Sequence, residues 1–390
     1  MRGTSKKILG VTESATVAVS DKVRQLKAQG IDVVDLGGGD PDFPTPAHIV
    51  EAAAKAMREG RTHYVSSRGI PPLLKALGEK LRVDQGASYD PSREIIVTPS
   101  GKHAIFSALI ALLDPGDEVV IPQPSWVSYE SCVLIADGKP VAVPATAAEQ
   151  FRVTAEALRA RITPRTKAVL INSPGNPTGH VMDEAELAGI AEVAVARDLY
   201  VITDEIYQKI VFDARRHLSI AAMPGMRERT IIVDGFSKTY AMTGWRLGYV
   251  AAPARVVDEI LKVQQQSVTC AASFVQEGGV AALTGSQECV HEMVREYAAR
   301  RELVVKGLNE LPGVRCHAPE GAFYAFPDVS GTGMDSVAFA SFALDKAQVG
   351  MTPGAAFGAG GDPHVRLSFA NSRELIREAL ARLAKALATR

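Results

Sequence analysis

The sequence predicts an α/β protein, with a large domain built on a mostly parallel sheet and a smaller α+β domain beside it. Three observations carry this reading. Short apolar runs alternate with helical patterns through the middle of the chain, as they do where strands are joined by crossover helices. Towards the end the pattern changes to one long helix, then short strands and a last helix. The chain's 390 residues also suit two or three domains at roughly 100–200 residues each.

The apolar runs are Ile95–Thr98, Glu118–Ile121, Ala168–Asn172, Tyr200–Thr203, Thr230–Asp234 and Leu247–Ala251. They are too continuously apolar for a half-exposed sheet, so they read as strands covered on both faces. Amphipathic stretches such as Lys102–Leu113 and Asp183–Arg197 supply covering helices. Open α/β sheets bind ligands beyond the carboxyl ends of their strands. Asn176, Asp204 and Ser237-Lys238 stand at or just after such ends. From about Gln287 to Leu311 one helix is expected, bounded by Gly285 and Pro312. Strands are expected at Val314–His317, Ala322–Ala325 and Val365–Phe369, and a final helix from about Arg373.

Composition narrows the function classes. A net charge of -1 gives no overall field towards nucleic acid or an anionic membrane. No run of about 18 apolar residues suggests a membrane span. The opening MRGTSKKILG is charged and lacks the apolar core of a secretory signal. The cysteines Cys132, Cys270, Cys289 and Cys316 are scattered, with no metal-ligand spacing. The expectation is a reduced cytoplasmic protein without a metal centre.

Three segments carry chemistry. In SKTYAMTGWRLGY, Lys238 follows an apolar strand, where burial lowers an amine's pKa and makes it nucleophilic towards a carbonyl. Arg246, eight residues on, offers a planar fork for phosphate. Alone, Lys238 reads more often as an ordinary surface charge, since lysines are usually exposed. In AVLINSPGNPTG, prolines and glycines set a tight loop that presents Asn176 as a hydrogen-bond donor. In VITDEIY, a strand ends on Asp204 with Tyr207 three residues later. Asp204 alone reads as a helix cap, a metal ligand or the partner of a protonated ring nitrogen.

Taken together and in this order, SPGNPTG, TDEIY and SKTYAMTGWRLGY resemble the class I aminotransferases of pyridoxal-5′-phosphate (PLP) fold type I. The resemblance extends from SATVAV (residues 14–19) and GGGDPDFPTP (residues 37–46) to HVRLSFA (residues 364–370), and is closest to a bacterial branch of the aspartate aminotransferases. It implies a seven-stranded large domain over residues 47–290. The small domain is then residues 1–46 with 291–390. Position by position, it implies that Lys238 holds PLP as a Schiff base and moves the substrate proton. Asp204 pairs with the pyridinium nitrogen, and Tyr207 and Asn176 face the phenolic oxygen. Trp126 stacks on the ring. Ser100, Gly101 and Lys102 open a helix onto the phosphate, as helix N-termini suit dianions, with Ser237 and Arg246 as further phosphate ligands. Arg366 grips the substrate α-carboxylate, and Gly39, Trp126 and Asn176 lie against the substrate. Tyr64 reaches the phosphate of a partner subunit, so the resemblance implies a homodimer with shared sites.

The implied reaction moves an amino group, by a ping-pong mechanism, between aspartate and 2-oxoglutarate. A distal substrate carboxylate needs a second cation or donor. Lys102 is the candidate cation, and Ser14 and Thr16 match hydroxyl donors of the similar enzymes. Departures bear on substrate: Asp40 stands where relatives carry Glu, Ser100 for a glycine, Ser66-Ser67-Arg68 for a proline-rich stretch, and Thr12 for a basic residue. The alternatives are an aromatic, alanine-like or specialised biosynthetic aminotransferase, or a PLP β-lyase.

Overall fold

The computed structural model describes residues 3–13 and 15–389, with only the backbone of Thr16. In chain order its strands are β1 (Val34–Asp35), β2 (Ile95–Thr98), β3 (Glu118–Gln123), β4 (Lys139–Pro144), β5 (Thr166–Asn172), β6 (Tyr200–Asp204), β7 (Thr230–Gly235), β8 (Gly248–Ala251), β9 (Tyr324–Ala325), β10 (Val349–Gly350), β11 (Thr352–Pro353) and β12 (Val365–Ser368). Seven of them form one sheet in the order β2-β8-β7-β6-β5-β3-β4. Only β8 runs against its neighbours, so the sheet is mostly parallel as expected. The Val- and Ile-rich strands β2, β7 and β8 are buried along their whole length, because helices cover both faces.

Helices Gly101–Leu112 and Ala254–Ser267 pack on one face with Ile96, Val119, Ile202 and Val250. On the opposite face, Pro71–Asp84 and Ser273–Thr284 pack with Ile95, Val97, Ile232 and Tyr249. Strand β4 has no counterpart among the expected runs. Its Pro140 and Pro144 weaken a strand pattern, and its place at the edge of the sheet is where prolines are tolerated.

A further core gathers Val34, Leu36 and much of the chain after Met293. Helices Glu288–Asn309, Ser336–Ala347 and Arg373–Ala388 contribute to it, with the sheets β11-β12-β9 and β1-β10. The long helix and the last helix lie where the sequence places them. The expected strand Val314–His317 does not form; only Arg315 bridges, to Asp328. The side chain of Asn309 takes both the N–H and the carbonyl of Cys316 at 2.9 Å, the groups a neighbouring strand would need. The expected strand Ala322–Ala325 shortens to β9, because Ala322 sits at φ 56°, a left-handed conformation that breaks an extended run.

Strand register positions the chemistry. Asn172 of β5 stands beside Asp204 of β6. Gly248 of β8 lies between Thr98 of β2 and Gly235 of β7. A Cβ on Gly248 would come within 2.4 Å of the Gly101 nitrogen. Only glycine there lets the helix that starts at Gly101 point its first N–H groups over the sheet edge.

Candidate active site

The carboxyl ends of β2, β5, β6 and β7 open on a cleft of about 360 Å³. Lys238 leans across it, and its Nζ donates to the Gly39 carbonyl at 2.5 Å. Burial lowers the pKa of this amine to about 8. Asp204 is buried at the end of β6, where desolvation pushes its carboxyl up to about 6. The Tyr129 hydroxyl donates to its Oδ2 at 2.7 Å and the Ile206 N–H to its Oδ1 at 3.2 Å, both favouring the ionised form. No cation pairs with Asp204 among the described residues.

Arg366 lies opposite on β12 and is 2 % exposed. Its Nη1 donates to Asn176 Oδ1 at 3.0 Å and its Nη2 to the Gly37 carbonyl at 2.5 Å. Its Nε has no partner, and no carboxylate pairs with it among the described residues. Asn176 is itself held by the bond of its N–H to Asn172 Oδ1 at 2.9 Å. Because its oxygen accepts from Arg366, its amide N–H₂ is left to donate into the cleft. A buried carboxylate and a buried guanidinium, each without an ionic partner among the described residues, call for charges from outside.

One end of the cleft is built for an anion. Ser100, at φ 110°, caps the helix by accepting from the His103 N–H at 3.3 Å. Gly101, Lys102, Ser237 and Arg246 line the same wall. Arg246 is held by its bond to the Thr243 carbonyl at 2.7 Å. Lys102 Nζ sits 4.8 Å from the centre of the Trp126 ring, and burial lowers its pKa. Trp126 in turn meets Tyr129 edge to face, with ring centroids 5.3 Å apart. Tyr207 lies deeper, its hydroxyl 2.8 Å from that of Tyr324.

The cleft thus brings together the candidate residues of the sequence reading except Tyr64, Ser14 and Thr16. Tyr64 is 84 % exposed and does not line the cleft of its own chain. Ser14 and the side chain of Thr16 lie outside the described residues. Arg68 is held away from the cleft by Asp258 at 2.9 Å and the Arg93 carbonyl at 2.8 Å. Asp40 accepts from the Thr243 hydroxyl at 2.6 Å, and Thr12 lines a separate hollow beside Trp126. Tyr129 and Tyr324 were not anticipated. Tyr129 sits on the helix Ser128–Ile135 and Tyr324 on β9; each reads as an ordinary buried tyrosine, and only the tertiary packing turns its hydroxyl into the cleft. Val17, Ser20 and Arg24, on the helix Ala15–Ala28, complete one wall.

Known proteins share both sequence and architecture. The family model for aminotransferase class I and II matches residues 31–383. An aspartate aminotransferase of Musicola paradisiaca is 48% identical, over 99% of this chain and 97% of that protein. An aromatic-amino-acid aminotransferase of Thermococcus litoralis is 43% identical, over 92% of this chain and 93% of that protein. Among solved structures, the aspartate aminotransferase of Thermus thermophilus with maleate superimposes with a TM-score of 0.95 at 41% identity, covering 99% of this chain and 100% of that one. A family match over most of the chain, on a sheet whose strand ends converge on one charged cleft, leaves a single reading: the chain belongs to the class I and II aminotransferases and is a PLP-dependent transaminase of fold type I.

Proposed function

We propose that the cleft holds PLP on Lys238 and moves the amino group of aspartate to 2-oxoglutarate by a ping-pong mechanism. The observation that carries this is the unpaired buried charge on either side of Lys238. Asp204 has no cation and Arg366 no anion among the described residues. A protonated ring nitrogen and a substrate α-carboxylate are the missing partners. The residues fit the cofactor at its other end too, where the Gly101 helix start, Ser100, Ser237, Lys102 and Arg246 suit a phosphate dianion.

When bound, PLP supplies a carbonyl that takes up the amino group and a ring that accepts the electron pair left at the substrate Cα. The protein's own groups do the rest. Asp204, ionised by two hydrogen bonds, keeps the ring nitrogen protonated. Tyr207 and the amide of Asn176 donate to the ring oxygen, while Trp126 covers one ring face. Arg366 fixes the substrate through a bidentate match of guanidinium to carboxylate, with Gly39 leaving room for the substrate beside it. Lys238, its amine already lowered to about 8, takes the proton from Cα as the free base and returns it on the cofactor side. Tyr64, exposed on its own chain, serves the phosphate of a partner subunit in a homodimer.

Several relatives are named aspartate aminotransferases, which supports an acidic substrate, as does the dicarboxylate maleate in the Thermus enzyme's structure. One relative is named aspartate/prephenate aminotransferase and another aromatic-amino-acid aminotransferase, so the side-chain end of the pocket is where the reading is most exposed to test. We further assign residues 47–290 to the large domain and 1–46 with 291–390 to the small one, on the core that Val34 and Leu36 share mainly with the chain after Met293, which Tyr207, Ile210 and Phe212 join from the large domain. Four free cysteines suit the cytoplasm. No helix among the described residues is long and apolar enough to cross a membrane.

The decisive experiment is borohydride reduction of the PLP-loaded protein followed by peptide mapping. Label on Lys238 supports the assignment, and label on another lysine overturns it. A half-reaction screen, mixing the loaded enzyme with single amino acids and following its visible absorbance, then identifies the donor.

A further inference from the structure

We propose that Tyr324 is a positioning residue of this active site: its hydroxyl donates to Tyr207, turning the Tyr207 proton towards the cofactor's ring oxygen, and its ring carries Arg366. The proposal rests on the cofactor reading above and adds a residue to it.

Tyr324 lies on β9, paired with β12 through Ser368, two residues from Arg366. It is 1 % exposed yet lines the cleft. Its hydroxyl and that of Tyr207, 2.8 Å apart, have no other hydrogen-bond partner among the described residues. The Arg366 guanidinium carbon stands 4.5 Å from the centre of its ring, a cation over an aromatic face. A Cβ on Gly39 would fall 2.6 Å from its hydroxyl oxygen. Glycine at 39 is therefore what allows the hydroxyl to stand where it meets Tyr207. Three elements of the site, at Gly39, Tyr207 and Arg366, converge on this one side chain.

Direction follows from proton counting. Each phenol has one proton to donate, so if Tyr324 donates to Tyr207, the Tyr207 proton is free for the cleft. The opposite order spends the Tyr207 proton on Tyr324 and leaves the cleft without a donor from that residue. Burial raises both phenols above their ordinary range. At Tyr324 the charge of Arg366 is the main effect opposing the rise. A cation 4.5 Å over its own ring makes the Tyr324 phenol the better donor, so the order runs from Tyr324 to Tyr207 to the cleft.

Tyr324→Phe removes the hydroxyl and keeps the ring under Arg366. The measurement is the pH midpoint of the visible absorbance of the PLP-loaded enzyme, which reads how well the ring oxygen's negative charge is stabilised. Without Tyr324 behind it, Tyr207 donates less strongly, and the midpoint should rise by about half to one pH unit, the size of one neutral hydrogen bond. Tyr207→Phe should raise it at least as far. Adding Tyr324→Phe to Tyr207→Phe should then change nothing more, because the second residue acts only through the first. Tyr324→Leu, which removes the pad as well, should in addition raise KM for the amino acid at least several-fold relative to Tyr324→Phe. An unmoved midpoint in Tyr324→Phe, or additive shifts in the double variant, would make Tyr324 a packing residue and overturn the proposal alone. Absence of a pH-dependent band in the unmutated, PLP-loaded protein would overturn the cofactor assignment and this proposal with it.

Discussion

Tyr129 donates its hydroxyl to Asp204 at 2.7 Å while meeting the edge of Trp126, so one side chain joins the aromatic that would cover the cofactor ring to the carboxylate that would hold its nitrogen. The bond favours the ionised carboxylate against the burial that raises its pKa. Tyr129→Phe keeps the ring contact and removes the donor. A hydrogen bond to a charged group is worth about 1.5–3 kcal/mol, so PLP should dissociate roughly ten- to a hundredfold more readily. Fluorescence titration of the cofactor-free protein measures this. Unchanged affinity would reduce Tyr129 to packing.

Asp204 also makes a prediction about the cofactor-free protein. Its folded pKa of about 6 lies above the unfolded value of about 3.9. Between these values the folded state binds more protons than the unfolded one, so stability falls as pH rises through about 4 to 6. A two-unit shift corresponds to something on the order of 2–3 kcal/mol lost. Asp204→Asn should abolish that slope and stabilise the cofactor-free protein at neutral pH. It should weaken PLP binding and slow the half-reaction, since the ring nitrogen loses its counter-charge. Thermal melts across pH, with and without PLP, separate the two effects. A melting profile identical to that of the unmutated protein would refute the burial argument.

How far the sequence could be read depends on the kind of residue. Asp204 and Lys238 stand out because a charge directly follows an apolar run, a pattern packing alone does not explain. Tyr129 and Tyr324 do not stand out, because a tyrosine in a helix or strand reads as an ordinary packing residue. Their function depends on where the hydroxyl lands, and that follows from how the helix carrying Tyr129 and the strand carrying Tyr324 pack against the sheet ends. The failure at Val314–His317 has the same origin. Its alternation suits a strand, but Asn309, distant in pattern and near in space, takes the backbone groups of Cys316. No local propensity reports that.

Tyr64 is 84 % exposed and does not line the cleft of its own chain, which leaves it free to meet a second subunit. If Tyr64 completes the site of a second subunit, each dimer holds two composite sites. Mixing an inactive Tyr64 variant with Lys238→Ala should then regain activity, because each hybrid dimer holds one site with both residues intact. At most about a quarter of the sites in a statistical mixture qualify, so the recovered activity should approach that fraction of the unmutated enzyme. No recovery despite subunit exchange, or a fully active monomer in sedimentation, would place the tyrosine's role within one chain.

Lys102 decides what the side-chain end of the substrate must be. Its Nζ is 4.8 Å from the Trp126 ring and it lies on the wall shared by the phosphate end and the open cleft. Burial lowers its pKa, yet no carboxylate of the described chain pairs with it. Two anions compete to be its partner. If it meets the distal carboxylate of the substrate, Lys102→Ala removes a charge-assisted contact that neutral amino acids never make. Turnover of aspartate and glutamate should then fall roughly ten- to a hundredfold more than that of alanine or phenylalanine. If Lys102 serves the phosphate, cofactor affinity falls and all substrates lose alike. The ratio of kcat/KM for aspartate to that for phenylalanine, measured at saturating PLP, separates the two. An unchanged ratio would assign Lys102 to the cofactor and leave the wall formed by Val17, Ser20 and Arg24 as the place to look for the specificity determinant.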